Sequence, residues 1–150
     1  MSKTGNCNLS SAFNSMINLE YLPTISDCKV ANISDMCNGC YNLKEININF
    51  DNWDLSTFGN NSWGGYEGNW HSQCYSLRQI PMSSYNKLFQ TKTVGKTSPY
   101  YSIYYNLAYN CYNIDEIIDM PVMVLDKYTS NAFNGTFTGA LRLKNFTFKV

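Results

Sequence analysis

Three heptads of this chain are near copies of one another: Cys40-Tyr41-Asn42-Leu43-Lys44-Glu45-Ile46, Cys74-Tyr75-Ser76-Leu77-Arg78-Gln79-Ile80 and Cys111-Tyr112-Asn113-Ile114-Asp115-Glu116-Ile117. Each reads Cys, Tyr, a small polar residue, a branched aliphatic, a charge, an acid or amide, and Ile. Internal repetition constrains the fold more tightly than any single-residue motif. A short unit of this kind cannot bury its apolar side alone and must be covered by the next unit. The repeat also claims most of the residues that would otherwise look chemical.

Two weaker copies flank these three. Near the N-terminus, Ala12-Phe13-Asn14-Ser15-Met16 leads into Leu19 and Leu22, with Met16 at the Cys position. Near the C-terminus, Ala132-Phe133-Asn134-Gly135-Thr136 resembles Ala108-Tyr109-Asn110-Cys111, which places Thr136 at the Cys position. Its aliphatic half, Leu141 and Leu143, comes late, as suits an atypical terminal unit. Met16 to Cys40 is then 24 residues, Cys40 to Cys74 is 34, Cys74 to Cys111 is 37 and Cys111 to Thr136 is 25. The longer intervals read as insertions into a basic unit, within residues 47–70 and 83–105.

The pattern small-aromatic-x-x-Cys-x-x-Leu-x-x-Ile, with Pro81 after Ile80, resembles the BspA-type leucine-rich repeat of bacterial and protist surface proteins and some phage virion proteins. Residues 34–46 hold its best copy, and the likeness covers most of residues 9–146 outside the insertions. Met16 and Thr136 in place of Cys, and the uneven unit length, depart from it. The expected fold is α/β: one domain over residues 1–150, an irregular leucine-rich-repeat solenoid of about five units. Short parallel strands, helical turns and two inserted aromatic loops complete it. Segments such as residues 108–111 are too short for a free-standing helix and suit one helical turn against the stack. Cys40, Leu43, Ile46, Cys74, Leu77, Ile80, Cys111, Ile114 and Ile117 are the expected structural repeat positions. Tyr41, Tyr75 and Tyr112 recur once per unit and predict a tyrosine ladder. The alternation of Leu141 and Leu143, then Phe146 and Phe148, predicts a final strand with a bulge near residues 144–145.

Composition narrows the function classes. A chain of 150 residues fits one domain with its own core. Eleven basic residues balance eleven acidic ones without a basic run, so the electrostatic footprint of a nucleic-acid binder is missing. No apolar run reaches the length of a membrane span. The first residues, with one Lys and no apolar stretch after it, do not read as a secretory signal. Six Cys could form a disulfide framework, but three of them share one repeat position, and small buried free thiols are the expectation.

Candidate chemistry is thin. Cys37 and Cys40 with His71 and Cys74 have the residue types of a zinc site. Cys40 and Cys74 are already explained by the repeat, however, and Cys111 copies them without metal-ligand neighbours. The Cys37-x-x-Cys40 pair lacks the strand-then-helix order of a thioredoxin-like redox motif. Gly95-Lys96-Thr97 ends like a phosphate-binding loop, but Gln90 stands where the first Gly is required and Pro99 interrupts the helix that must follow. His71 is the single imidazole, and no Gly-x-Ser-x-Gly elbow surrounds any Ser. The carboxylate groups Asp51 with Asp54, and Asp115 and Glu116 with Asp119, carry no mark of desolvation. The Asn-x-Ser/Thr sequons at Asn8, Asn32, Asn60, Asn134 and Asn145 follow from the abundance of Asn. No cofactor, no metal and no catalytic residue is expected.

The insertions gather all three Trp and many Tyr among Gly, Asn and Asp. Trp53, Trp63, Tyr66, Trp70, Tyr100 and Tyr101 are the candidate ligand contacts, since flat rings beside short polar side chains suit a glycan or a protein surface. The same rings would also serve to plug the gap that an insertion opens along a stack. The expected function is non-catalytic recognition or assembly in a phage virion, tail- or fibre-associated, through virion subunits, a host surface protein or a glycan, with a homo-oligomer as one form. A secreted bacterial or protist surface adhesin, and then a carbohydrate-active enzyme, are the alternatives. The resemblance implies the virion, or else the cell surface, as the location.

Overall fold

A computed structural model describes residues 7–25, 28–58, 68–81, 105–118 and 134–144, with backbone alone for 81 and 116–118. Five turn segments recur through these residues. Each leads into one position, held in order by Met16, Cys40, Cys74, Cys111 and Ala140. Residues in the same column, counted from that position, are equivalent below.

The turns are not helical. Ala12, Asn14 and Met16 donate their N–H groups to Leu9, Ser11 and Phe13 three residues back, at 3.1 Å each, but Ser11, Phe13 and Ser15 donate to Ser34, Met36 and Asn38 of the following turn. Alternate residues thus close the turn and bond the next one. The same ladder joins Asp35, Cys37 and Gly39 to Gly68, Trp70 and Ser72, and Asn69 and Gln73 to Tyr105 and Tyr109. It ends with Asn106, Ala108 and Asn110 bonded to Asn134, Thr136 and Thr138.

Alternation demands left-handed backbone at two places per turn, five residues and one residue before the Cys column. Ser11 and Ser15, Asp35 and Gly39, Asn69 and Gln73, Asn106 and Asn110, and Gly135 and Gly139 fill those two columns, with φ between 51° and 78°. Every residue with positive φ among the described ones is in this set. Gly, Asn, Asp and Ser, which fill nine of these ten places, tolerate that region or bond locally within it. Asn8 and Asn32, equivalent residues, also accept the N–H of Ser10 and Ser34 on their side-chain oxygens at 3.0 and 2.7 Å.

The expected helical turn is therefore replaced by overlapping turns. Among the described residues the one helical element is a 3-10 turn, Phe50–Asn52, which lies in the first insertion and starts on the Asn49 side chain. The fifth unit is also corrected. Thr136 lies four residues before the Cys column, and Ala140 occupies that column, 29 residues after Cys111. Its N–H donates to Phe137 as that of Cys111 donates to Ala108.

Short parallel pairings flank the turns. Strand β1 (Cys7–Asn8) pairs with β2 (Val30–Asn32) across a bulge, and β3 (Gln79–Pro81) pairs with β4 (Glu116–Ile118) in simple register, Ile80 opposite Ile117. Tyr21 bridges Glu45 and Lys29 bridges Asp54, also in parallel. The expected final strand is not formed in its first half: residues 141–144 continue the last turn, the Leu143 N–H donating to the Ala140 carbonyl at 3.3 Å, and residues 145–150 lie outside the described residues.

The core runs along the stack between these features. Cys40, Leu43 and Ile46, Cys74, Leu77 and Ile80, and Cys111 and Ile114 are all buried. The columns three and four residues earlier are buried too, with Met36, Cys37, Trp70, His71, Leu107 and Ala108. Burying side chains of this size removes about 25 cal/mol of apolar free energy per Å² from water, and each does so only because the neighbouring turn covers it.

Candidate functional site

All six cysteines are free thiols. Three form a ladder: the thiol of Cys40 donates to the Phe13 carbonyl at 3.0 Å, that of Cys74 to the Cys37 carbonyl at 3.3 Å, and that of Cys111 to the His71 carbonyl at 3.2 Å. Each bond runs to the previous turn, three residues before its Cys-column residue. A thiol is small and apolar enough for the core and still carries a weak donor. Burial raises the Cys37 and Cys74 thiols well above their ordinary range and pushes Cys111 up to about 12, so at neutral pH these groups are protonated and poor nucleophiles. No three His, Cys, Asp or Glu side chains gather to hold a metal among the described residues.

His71 lies in the column of Phe13, Cys37, Ala108 and Phe137, wholly buried, 4.4 Å from the Trp70 ring between centroids. Burial lowers its pKa to about 3. It is a neutral core ring at physiological pH.

Two of the candidate ligand contacts are core residues. Trp53 is 1% exposed, donates its indole N–H to the Ile25 carbonyl at 3.2 Å, and meets Phe50 edge-on at 4.7 Å. Trp70 is fully buried and also meets Phe50, at 5.8 Å between centroids and near-perpendicular. Neither ring has a face open to a ligand; both fill the space beside the first insertion. Trp63, Tyr66, Tyr100 and Tyr101 lie outside the described residues.

The tyrosine column is open to solvent instead. Tyr41 stacks on Tyr75 with centroids 4.5 Å apart and planes 10° from parallel, and Tyr75 on Tyr112 at 4.8 Å and 14°. These spacings match the separation of paired strands, because the backbone ladder sets the rise from turn to turn. Tyr41 and Tyr112 are over a third exposed. Ring faces are turned to one another, so the column offers ring edges and a row of hydroxyls. Partial burial, followed by the neighbouring Tyr41 and Tyr112 rings, raises the Tyr75 phenol above its ordinary pKa.

Three residues further on, a charged column runs parallel: Glu20, Lys44, Arg78, Asp115 and Lys144. Lys44 bonds Glu20 at 2.7 Å, and Arg78 bonds Asp115 at 2.6 Å, with Arg142 3.9 Å from the same carboxylate. The Arg78 hydrogen bond lowers the Asp115 pKa, and the Glu20 hydrogen bond raises that of Lys44. The two cations therefore stand on neighbouring turns, and each pairs with the acid of the turn beyond it. A depression of about 600 Å³ opens there, lined by Lys44, Glu45, Ser76, Arg78, Gln79 and Asp115. A smaller one of about 260 Å³ adjoins it at Ser76, Arg78, Asn113 and Arg142. No protein-family model, curated protein or solved structure matches this chain. No helix among the described residues is long and apolar enough to cross a membrane.

Proposed function

We propose that the chain is an irregular leucine-rich-repeat solenoid acting as a non-catalytic recognition module, and that its side face binds a protein surface. The observation that carries this reading is the open column of Tyr41, Tyr75 and Tyr112 beside the charged depression at Lys44, Arg78 and Asp115. Tyr and Arg are among the residue types enriched at interface hot spots, since each offers apolar area and a directional polar tip. Equally spaced hydroxyls and charges on a rigid backbone ladder suit a partner with its own regular surface. A phage virion, tail- or fibre-associated, is the setting we favour, on the resemblance of the repeat. Four of the six thiols and the imidazole that could have carried chemistry are buried in the core.

Particles from the producing host, purified on a density gradient, test the setting. The wild-type chain should travel with them, and Arg78→Glu combined with Tyr112→Ala should leave it in the soluble fraction at normal expression. Wild-type chain missing from particles defeats the virion placement. A glycan array that binds the wild type and the double variant alike would move the reading toward a sugar site elsewhere, as in an adhesin, and turnover of a polysaccharide would replace it with an enzyme.

A further inference from the structure

The two ends of the described stack repeat the two halves of an interface made four times among the described residues. Within the molecule, the residues five positions and one position before the Cys column donate N–H groups to the residues six and two positions before it in the next turn. In the first described turn the corresponding carbonyls, those of Ser10 and Asn14, accept no backbone N–H from another described turn. In the last turn the corresponding donors are Gly135 and Gly139, whose backbone is already held left-handed at φ 68° and 78° as in every preceding turn. The donors of one end thus repeat the spacing of the acceptors of the other.

Side chains follow the same logic. The Cys column is fully buried at Cys40, Cys74 and Cys111, yet Met16 in the first turn is 48% exposed. In the tyrosine column the end residues are Ile17, 49% exposed, and Leu141, 79% exposed. Both are aliphatic where the interior residues stack ring on ring, and an aliphatic pair needs no ring geometry to meet. In the charged column the ends are Glu20 and Lys144, of opposite sign, and Lys144 is exposed. Placing a last turn above a first turn would set Lys144 against Glu20, the same pairing that Lys44 makes with Glu20 inside the chain.

We propose that the chain stacks head to tail with copies of itself, the Gly135–Leu141–Lys144 face of one copy seated on the Ser10–Ile17–Glu20 face of the next. Gly135 and Gly139 donate to the Ser10 and Asn14 carbonyls of the second copy, Leu141 covers Ile17, and Lys144 pairs with Glu20. The interface is heterologous: each copy keeps one donor face and one acceptor face free, so growth is open-ended rather than closing at a dimer. It concerns the ends alone and stands whether or not the side face binds a partner.

Sedimentation velocity of the full chain over a wide concentration range provides the test. The wild type should give a sedimentation coefficient that keeps rising with concentration. Ile17→Asp blocks the acceptor face and Leu141→Asp blocks the donor face, both at exposed positions, and thermal unfolding checks that each variant is folded. Each alone should stay monomeric, and an equal mixture should produce a species of twice the monomer mass and nothing larger, because each variant supplies the face that the other lacks. Lys144→Glu should weaken wild-type association, more so at low salt. A wild type that stays monomeric at every concentration overturns the proposal. So do variants that dimerise on their own or a mixture that stays monomeric.

Discussion

The Cys74 thiol reaches the Cys37 carbonyl at 3.3 Å, and that same carbonyl accepts the Cys40 N–H at 3.1 Å. One acceptor therefore ties two neighbouring turns together, through a turn bond and a thiol bond. Repetition of Cys at this column has a physical basis here: Ala would fit but could not donate, and a larger aliphatic would crowd the turn. Because the carbonyl keeps its N–H partner, Cys74→Ala should cost mainly lost contacts, about 1–2 kcal/mol. Cys74→Ser keeps a donor but buries a more polar group. Urea unfolding of both variants checks this, and a neutral Cys74→Ala would mean that the thiol contributes nothing to the stack.

His71 should make the fold acid-sensitive. Its pKa is about 3 when folded against 6.5 in an open chain, so between those values the unfolded chain binds the extra proton. Stability is then intact above pH 6.5 and falls as pH drops below it, by up to about 1.4 kcal/mol per pH unit. Phe occupies the same column at residues 13 and 137, which makes His71→Phe the matching control. Urea midpoints measured from pH 7 to pH 4 should converge on a shallower slope for the variant, the remaining dependence belonging to carboxylates such as Asp115.

Much of the stack was legible because the heptads carry their own register. Cys, Tyr and aliphatic columns can be read directly from residues 40–46, 74–80 and 111–117. The backbone of the turns was not legible as overlapping left-handed turns, since Ser11, Asp35, Asn69, Asn106 and Gly135 share one conformation across four residue types. Trp70 misled for a related reason. Its Gly and Asn neighbours suggest a surface loop, yet it stands four residues before Cys74, in the column of Met36 and Leu107, and both of those are buried. Extending the repeat four residues upstream is the signal that would have placed it. The fifth unit slipped because Ala140 and Leu141 preserve neither the Cys nor the Tyr, and its true marker is Gly139 at a left-handed position. The charged depression was legible only in part: the heptads mark a recurring charge at Lys44, Arg78 and Asp115, but which charges pair is set by the stacking of their turns.

Gln73 is the misfit of the left-handed columns. It holds φ 58° where other turns use Ser, Gly or Asn, and it lacks the short polar side chain that bonds its own backbone. Left-handed backbone costs an ordinary residue about 1–2 kcal/mol, while Gly returns about 0.4–1 kcal/mol of that through the freedom of the unfolded chain. Gln73→Gly should therefore stabilise the protein by about 0.5–1 kcal/mol. Gly139→Ala should do the reverse and more, since its new methyl group would run into the Asn110 side chain. Thermal unfolding of the two variants should move in opposite directions, and a destabilised Gln73→Gly would show that its side chain holds something the backbone does not need.

Tyr75 stands between two rings, whereas Tyr41 and Tyr112 each stack on it alone within the column. Stacked aromatic pairs add about 0.5–1.5 kcal/mol beyond the area they bury, so Tyr75→Ala should destabilise more than either Tyr41→Ala or Tyr112→Ala. Double-mutant cycles should find coupling for the 41–75 and 75–112 pairs and little for 41–112, whose rings do not touch. Alkaline titration gives an independent readout. The raised pKa of Tyr75 means that the unfolded chain loses its phenol proton first as pH passes 10, so the folded state loses stability from that point upward. Tyr75→Phe keeps the stack and removes the proton, and it should flatten the decline; an unchanged decline would assign it to other groups, the buried thiols first among them.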